Sequence, residues 1–88
     1  MWALYVVRCS DRTLYTGIST DTERRIGQHN AGTGAKYTRS RGPVRLVASW
    51  PYPDRSTASK AEAAFKKLTR TEKLAFIRAP ETWNADQR

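Results

Sequence analysis

The chain is 88 residues long and sets 16 Lys and Arg against 8 Asp and Glu, a net charge of +8, and that length makes one domain, expected over residues 1–80. No apolar run approaches the roughly 20 residues that span a bilayer, Arg8 cuts the opening apolar stretch too short for a secretion signal, and the single cysteine, Cys9, can form neither an internal disulfide nor a cysteine metal cluster. These exclusions leave a cytoplasmic protein as the expectation, and neither a membrane nor a small-molecule cofactor is expected among its partners. Its excess positive charge points to the commonest large anion of that compartment, nucleic acid.

Residues 2–8 (Trp-Ala-Leu-Tyr-Val-Val-Arg) and 13–18 (Thr-Leu-Tyr-Thr-Gly-Ile) are short, rich in aromatic and β-branched residues, and flank Cys9-Ser10-Asp11-Arg12, a hairpin signal. Strand alternation puts Trp2, Leu4 and Val6 on one face and Ala3, Tyr5 and Val7 on the other. Pairing Tyr5 with Tyr15 gathers Leu14 and Ile18 on the Leu4 face and sets the two tyrosines side by side next to Gly17. Thr20-Asp21-Thr22-Glu23 reads as a capping box, opening a helix that runs to about Asn30 and is ended by Gly32 and Gly34. Arg25 and His29, four apart, share a face of that helix, and Gly27 is expected to permit close packing on the sheet.

Residues 31–43 follow neither period and read as a glycine-bearing loop carrying Lys36, Arg39 and Arg41. Residues 44–50 read as a third strand, closed by Pro51 and Pro53. A second helix begins near Ser56, with Ala58, Ala61, Phe65 and Leu68 as its buried stripe and Glu62 beside it. Thr69-Arg70-Thr71-Glu72 is a further capping box, opening a third helix that Pro80 ends; residues 81–88 are expected to form a loosely ordered C-terminal tail. The order β-β-α-β-α-α gives an α+β fold, a small three-stranded antiparallel sheet flanked by helices.

Few residues offer chemistry. One Cys and one His exclude a zinc site, no glycine-rich phosphate loop stands between a strand and a helix with a following Lys-Ser or Lys-Thr, and the lone His sits on a helix near an Arg, which speaks against a serine triad. Hydrolysis of a phosphodiester needs an activated water, positive charge on the phosphate, a metal ion and a stabilised leaving oxygen. Tyr5, Tyr15, Arg25, His29 and Glu62 remain for that work. Each also has an ordinary reading: a strand tyrosine packs amphipathically, Arg25 is a solvated helix charge, and His29 favours the helix dipole. Glu62 is the odd one, because a carboxylate at the rim of an apolar stripe is costly unless it is paired or bound to a cation.

As a set these residues resemble the GIY-YIG nuclease superfamily. Leu4-Tyr5-Val6 and Tyr15-Thr16-Gly17 are similar to its two tyrosine motifs, Arg25 falls eight residues after the motif glycine, His29 follows one helical turn later, and Ala61-Glu62-Ala63 looks like its glutamate helix. The segment from Gly32 to Thr38 resembles the small stand-alone bacterial branch, and the likeness covers roughly residues 2–78. The chain departs from the pattern with Ala3 and Thr16 at two motif positions, and it has no Asn between Lys73 and Ile77.

The resemblance implies an endonuclease acting on nucleic acid, with DNA ranked ahead of RNA. It implies one Mg²⁺, with Mn²⁺ as a substitute, held by Glu62 and waters. Tyr5 takes the proton of the attacking water directly or through His29, with Tyr15 as the alternative, and Arg25 clamps the scissile phosphate. Gly17 lets the chain come close to substrate, while Lys36, Tyr37, Arg39 and Arg41 meet the flanking nucleic acid. It also implies a targeting partner protein. The readings from other classes are a non-catalytic nucleic-acid-binding module that keeps the nuclease fold, and an adaptor whose basic loop meets an acidic protein. Trp50, Tyr37 and Tyr52 are the rings to locate for stacking on single strands.

Overall fold

The computed structural model describes residues 1–84. Strands β1 (Trp2–Arg8) and β2 (Leu14–Ser19) form the expected hairpin, followed by helices α1 (Thr22–Asn30) and α2 (Lys36–Arg39), strand β3 (Arg45–Tyr52), helices α3 (Arg55–Lys66) and α4 (Arg70–Arg78), and a 3-10 turn at Pro80–Thr82. The sheet is antiparallel with order β2-β1-β3, so the first strand of the chain is the central one. The fold is the expected α+β class, with three antiparallel strands and helices on both faces.

Register departs from expectation by two residues. Tyr5 lies opposite Gly17, and Tyr15 lies opposite Val7. A shift of two keeps every side chain on its face, so Leu4 still meets Ile18 and the polar and apolar sides stay sorted. On one face Leu4 and Val6 join Ala48, Trp50, Ala61, Phe65 and Trp83 in the main apolar cluster. On the other, Tyr5, Val7, Cys9 and Val44 form a smaller cluster closed by Tyr15 and Ile26.

Several local expectations are corrected. Asp21, not Thr20, caps α1, its carboxylate accepting from the Arg24 amide at 3.1 Å; Asp is as good an N-cap as Ser or Thr, and it stands one residue closer to the helix. Gly27 packs against nothing: a side chain there would meet open space. Lys36–Arg39, expected as loop, makes one helical turn too short to show a period. The third strand continues through Pro51, which is tolerated because β3 is an edge strand. The Thr69 capping box is present as expected, with Glu72 accepting from the Thr69 amide at 2.8 Å.

The expected loose tail is also corrected for residues 81–84; residues 85–88 lie outside the described residues. Trp83 is buried, its ring 5.2 Å from Phe65 and 5.1 Å from Phe76, and its indole N–H donates to the Tyr52 hydroxyl at 3.0 Å. Trp50 is buried in the same cluster and donates to the Pro80 carbonyl at 2.7 Å, so it offers no free ring. A single aromatic beyond a helix-ending proline has no periodic neighbour in sequence to mark it as core.

Candidate active site

The central strand carries Tyr5 to the face shared with α1, where its side chain is 1% exposed. A ring can lie there because Gly17 stands opposite. A methyl group at Gly17 would come within 2.7 Å of the Tyr5 hydroxyl and 2.8 Å of its ring carbon. Gly17 therefore makes room for Tyr5, the same position where the resemblance implies room for substrate.

Helix α1 brings His29 over that ring. Tyr5 Oη and His29 Nε2 are 3.0 Å apart, and His29 is 1% exposed. On its other side, His29 Nδ1 is 2.6 Å from Thr38 Oγ1, and Thr38 Oγ1 is 3.0 Å from the Ala35 carbonyl. The Ala35 amide approaches the same Nδ1 at a longer 3.4 Å. The segment between α1 and α2 can wrap the imidazole only because residue 34 is glycine: a Cβ there would lie 2.5 Å from Nδ1 and 2.9 Å from the His29 Cα. Thr38, also 1% exposed, is a residue that sequence reasoning missed. The single turn of α2 turns Thr38 inward while leaving Lys36, Tyr37 and Arg39 outside, and no period in the sequence marks it.

Thr38 can satisfy either state of the ring. Its hydroxyl can donate to an unprotonated Nδ1, or it can accept from Nδ1–H while donating to the Ala35 carbonyl. The imidazole thus keeps Thr38 as the partner of Nδ1 in either state, and a hydrogen on Nδ1 gives up only the longer Ala35 contact.

Charge ties the remaining candidates to this pair. Burial raises the Tyr5 pKa above its usual value near 10; the Arg25 guanidinium pulls it back, and Tyr15 and Glu62 push it up again. Burial lowers the His29 pKa below its usual value, and Arg25 lowers it further. At neutral pH the pair is therefore a phenol facing a neutral imidazole. Arg25, half-buried on α1, is oriented by Gln28, whose side-chain oxygen accepts from its guanidinium at 2.9 Å.

Tyr15 lies with its ring edge-on to His29 at 5.3 Å and stacks on Tyr37 at 5.8 Å. Tyr37 is 38% exposed, so an aromatic wall leads from the buried imidazole to the surface. Glu62 projects from α3 with its side chain 22% exposed, and one oxygen lies 3.2 Å from the Lys66 ammonium. The group therefore holds one carboxylate, and among the described residues no cluster of three or more His, Cys, Asp or Glu forms. Such a donor set fits Mg²⁺, which binds through one or two carboxylates and keeps several waters.

Of the four residues expected to meet nucleic acid in 36–41, Lys36 and Arg39 are exposed, and Tyr37 is exposed at one edge of the wall. Arg41 is placed otherwise. Its guanidinium lies 4.1 Å over the Tyr37 ring, pairs with Asp11 at 3.1 Å and donates to the Tyr37 carbonyl at 2.8 Å. The Arg41 carbonyl accepts from the Ser10 amide and hydroxyl. Arg41 fastens α2 to the hairpin turn, so its charge is already committed.

Known proteins are similar to this chain over most of its length. The GIY-YIG catalytic domain matches residues 1–75. A UPF0213 protein of Xanthomonas axonopodis pv. citri is 49% identical over 87 residues, covering 98% of this chain and 85% of the relative. One from Streptococcus agalactiae is 52% identical over 75 residues, 85% of each chain. Two solution structures are similar, each at 44% identity. The UPF0213 protein of Bacillus halodurans superposes with a TM-score of 0.58 over 90% of this chain and 85% of its own. A protein of E. faecalis gives 0.61 over 93% and 88%.

Proposed function

From the premise that this chain belongs to the GIY-YIG catalytic domain family, we propose that it is a metal-dependent endonuclease that hydrolyses phosphodiester bonds in nucleic acid, DNA rather than RNA. The observation that carries the reading is the buried contact between Tyr5 Oη and His29 Nε2, with Thr38 behind the imidazole and the charges of Arg25 and Glu62 acting on the phenol. A phenol with a raised pKa is a poor base by itself. A neutral imidazole 3.0 Å away supplies the missing basicity.

In the productive arrangement His29 carries hydrogen on Nδ1, donated to Thr38, and its Nε2 accepts from the Tyr5 hydroxyl. As water attacks phosphorus, Tyr5 takes the water proton and passes its own to Nε2. The imidazolium that results keeps both N–H groups hydrogen-bonded, to Tyr5 and to Thr38. Arg25 binds the phosphate oxygens and offsets the charge of the five-coordinate transition state. Glu62 would hold the divalent ion, Mg²⁺ or Mn²⁺, after Lys66 swings off its carboxylate. Such an ion supplies charge neutralisation at the phosphate and at the leaving oxygen. Lys36 and Arg39 meet flanking phosphates without reading sequence.

The Glu62–Lys66 contact is also what favours the second reading, a module that binds nucleic acid without cutting it. Cleavage of labelled single-stranded, duplex, flap and branched DNA and RNA, in Mg²⁺, Mn²⁺ or EDTA, separates the two. Metal-dependent product from the wild type, lost in Glu62→Ala, is the expected result. Binding of every substrate with no product in either metal supports the module.

A further inference from the structure

At the end of the sheet away from the chain's start, like charges are placed directly against each other. Arg8, the last residue of β1, pairs with Arg45, the first of β3. Direct cross-strand pairing of like charges destabilises an antiparallel sheet. The turn that follows adds Arg12, held in the left-handed region at φ 70, where a residue other than glycine is uncommon. Arg70, at the start of α4, donates to the Arg12 carbonyl at 2.9 Å and so fastens this turn.

Among the described residues no ion pair neutralises this group. The ion pairs among the described residues join Arg41 to Asp11 and Lys66 to Glu62. The one acid of the turn, Asp11, is taken up by Thr13 and Arg41. Arg8, Arg12 and Arg45, with Cys9, Ser10 and Pro43, surround a cavity of about 360 Å³. A fold that sets arginines against one another around an open concavity gains stability when an anion enters it. Planar guanidinium groups suit phosphate oxygens in particular.

We propose that this cavity is a second phosphate-binding site, taking the nucleic-acid backbone beyond the bond that is cut. The proposal rests on the nuclease reading above and adds a footprint to it. Arg8 is three residues along β1 from Tyr5, about 10 Å at roughly 3.3 Å per residue, a span of a few nucleotides. By strand alternation Arg8 leaves from the face of Leu4 and Val6, not from that of Tyr5. The backbone that links the two sites therefore turns around the end of the sheet, a path suited to a flexible single strand.

The test is equilibrium binding of a labelled single-stranded 20-mer DNA in EDTA, by fluorescence anisotropy over a range of salt, with the wild type and with Arg8→Gln/Arg45→Gln. Loss of two phosphate contacts is expected to flatten the slope of log K against log salt by about 1.4 and to weaken binding by roughly tenfold at moderate salt. The double variant should melt no lower than the wild type, because the opposed charges are gone. An unchanged slope in a wild type that binds overturns this site and leaves the nuclease reading standing. A wild type that binds no nucleic acid overturns both. A variant that melts well below the wild type overturns the proposal by assigning the arginines to structure. A last arm separates backbone from free phosphate by NMR of the arginine side-chain N–H signals. Shifts produced by the 20-mer, and not by inorganic phosphate at matched ionic strength, support the proposal, and the reverse pattern overturns it.

Discussion

The two faces of β1 are built by one rule and come to opposite ends. Leu4 and Val6 point into a cluster whose contacts are rings and methyl groups: Trp50, Phe65 and Trp83 with two alanines of α3. Tyr5, one residue away, points into a pocket where His29 and Thr38 are as buried as any leucine and are joined by hydrogen bonds. The apolar face gains from area removed from water. The polar face gains little net stability from its hydrogen bonds, because each replaces one made to water, and it holds several polar atoms that must all stay paired. The contrast teaches that the first face carries the stability of this small fold, and that the second is a constellation supported by it.

The largest effect expected from breaking that division is on the apolar side. Phe65→Ala removes a ring that is 0% exposed and touches both Trp50 and Trp83. It should cost about 3–5 kcal/mol, read as a lower urea midpoint, a large share of what an 88-residue chain possesses. On the polar side, Tyr5→Phe keeps the ring against Gly17 and removes only the hydroxyl. Cleavage should fall by about 10² or more while the far-ultraviolet circular dichroism stays native. Arg25→Ala should match it. A Tyr5→Phe variant that cleaves at an undiminished rate would take the phenol out of the proposed mechanism.

Smaller changes sharpen the comparison. Thr38→Val preserves volume and removes the partner of His29 Nδ1, so the rate should fall by about tenfold and its pH profile should shift, while Thr38→Ser should restore both. A purely packing role predicts instead that Val outperforms Ser. The smallest effect is on pH and stability. His29 has its pKa lowered in the folded state, so the unfolded chain binds more protons once pH falls below about 6.5. Stability should decline from there on acidification and level off only below the folded pKa. Urea midpoints near pH 7.5 and 5.5 should differ more for the wild type than for His29→Gln. The depressed carboxylates Asp11 and Asp54 titrate lower and are silent in that window.

Most of this division is legible in the sequence, because alternation along residues 2–8 separates the faces before any partner is known. The hairpin register escapes by two residues since alternation fixes pairing only to the nearest even shift; the close fit of Tyr5 over Gly17 decides the rest, and that is a three-dimensional fact. Tyr5, Arg25, His29 and Glu62 can be picked out as chemical types at telling spacings. Thr38 cannot, because a threonine in a segment with no period gives no sign that it will be buried against an imidazole. Arg41 shows the converse: a charge in a basic loop reads as available, and only the positions of Asp11, Tyr37 and Ser10 reveal that it is a fastener.

The placement of the first strand at the centre of the sheet has a consequence for the order of assembly. Its pairing with β2 closes a short turn, an event of microseconds, whereas its pairing with β3 must close a loop from Arg8 to Arg45. Tyr5 and Gly17 therefore meet early, in a hairpin that lacks His29, Glu62 and most of the apolar cluster. The arrangement of Tyr5, His29 and Glu62 is finished last, when the distant strand and α3 dock. Mutations at Ile18 should slow folding, and those at Trp50 should chiefly speed unfolding.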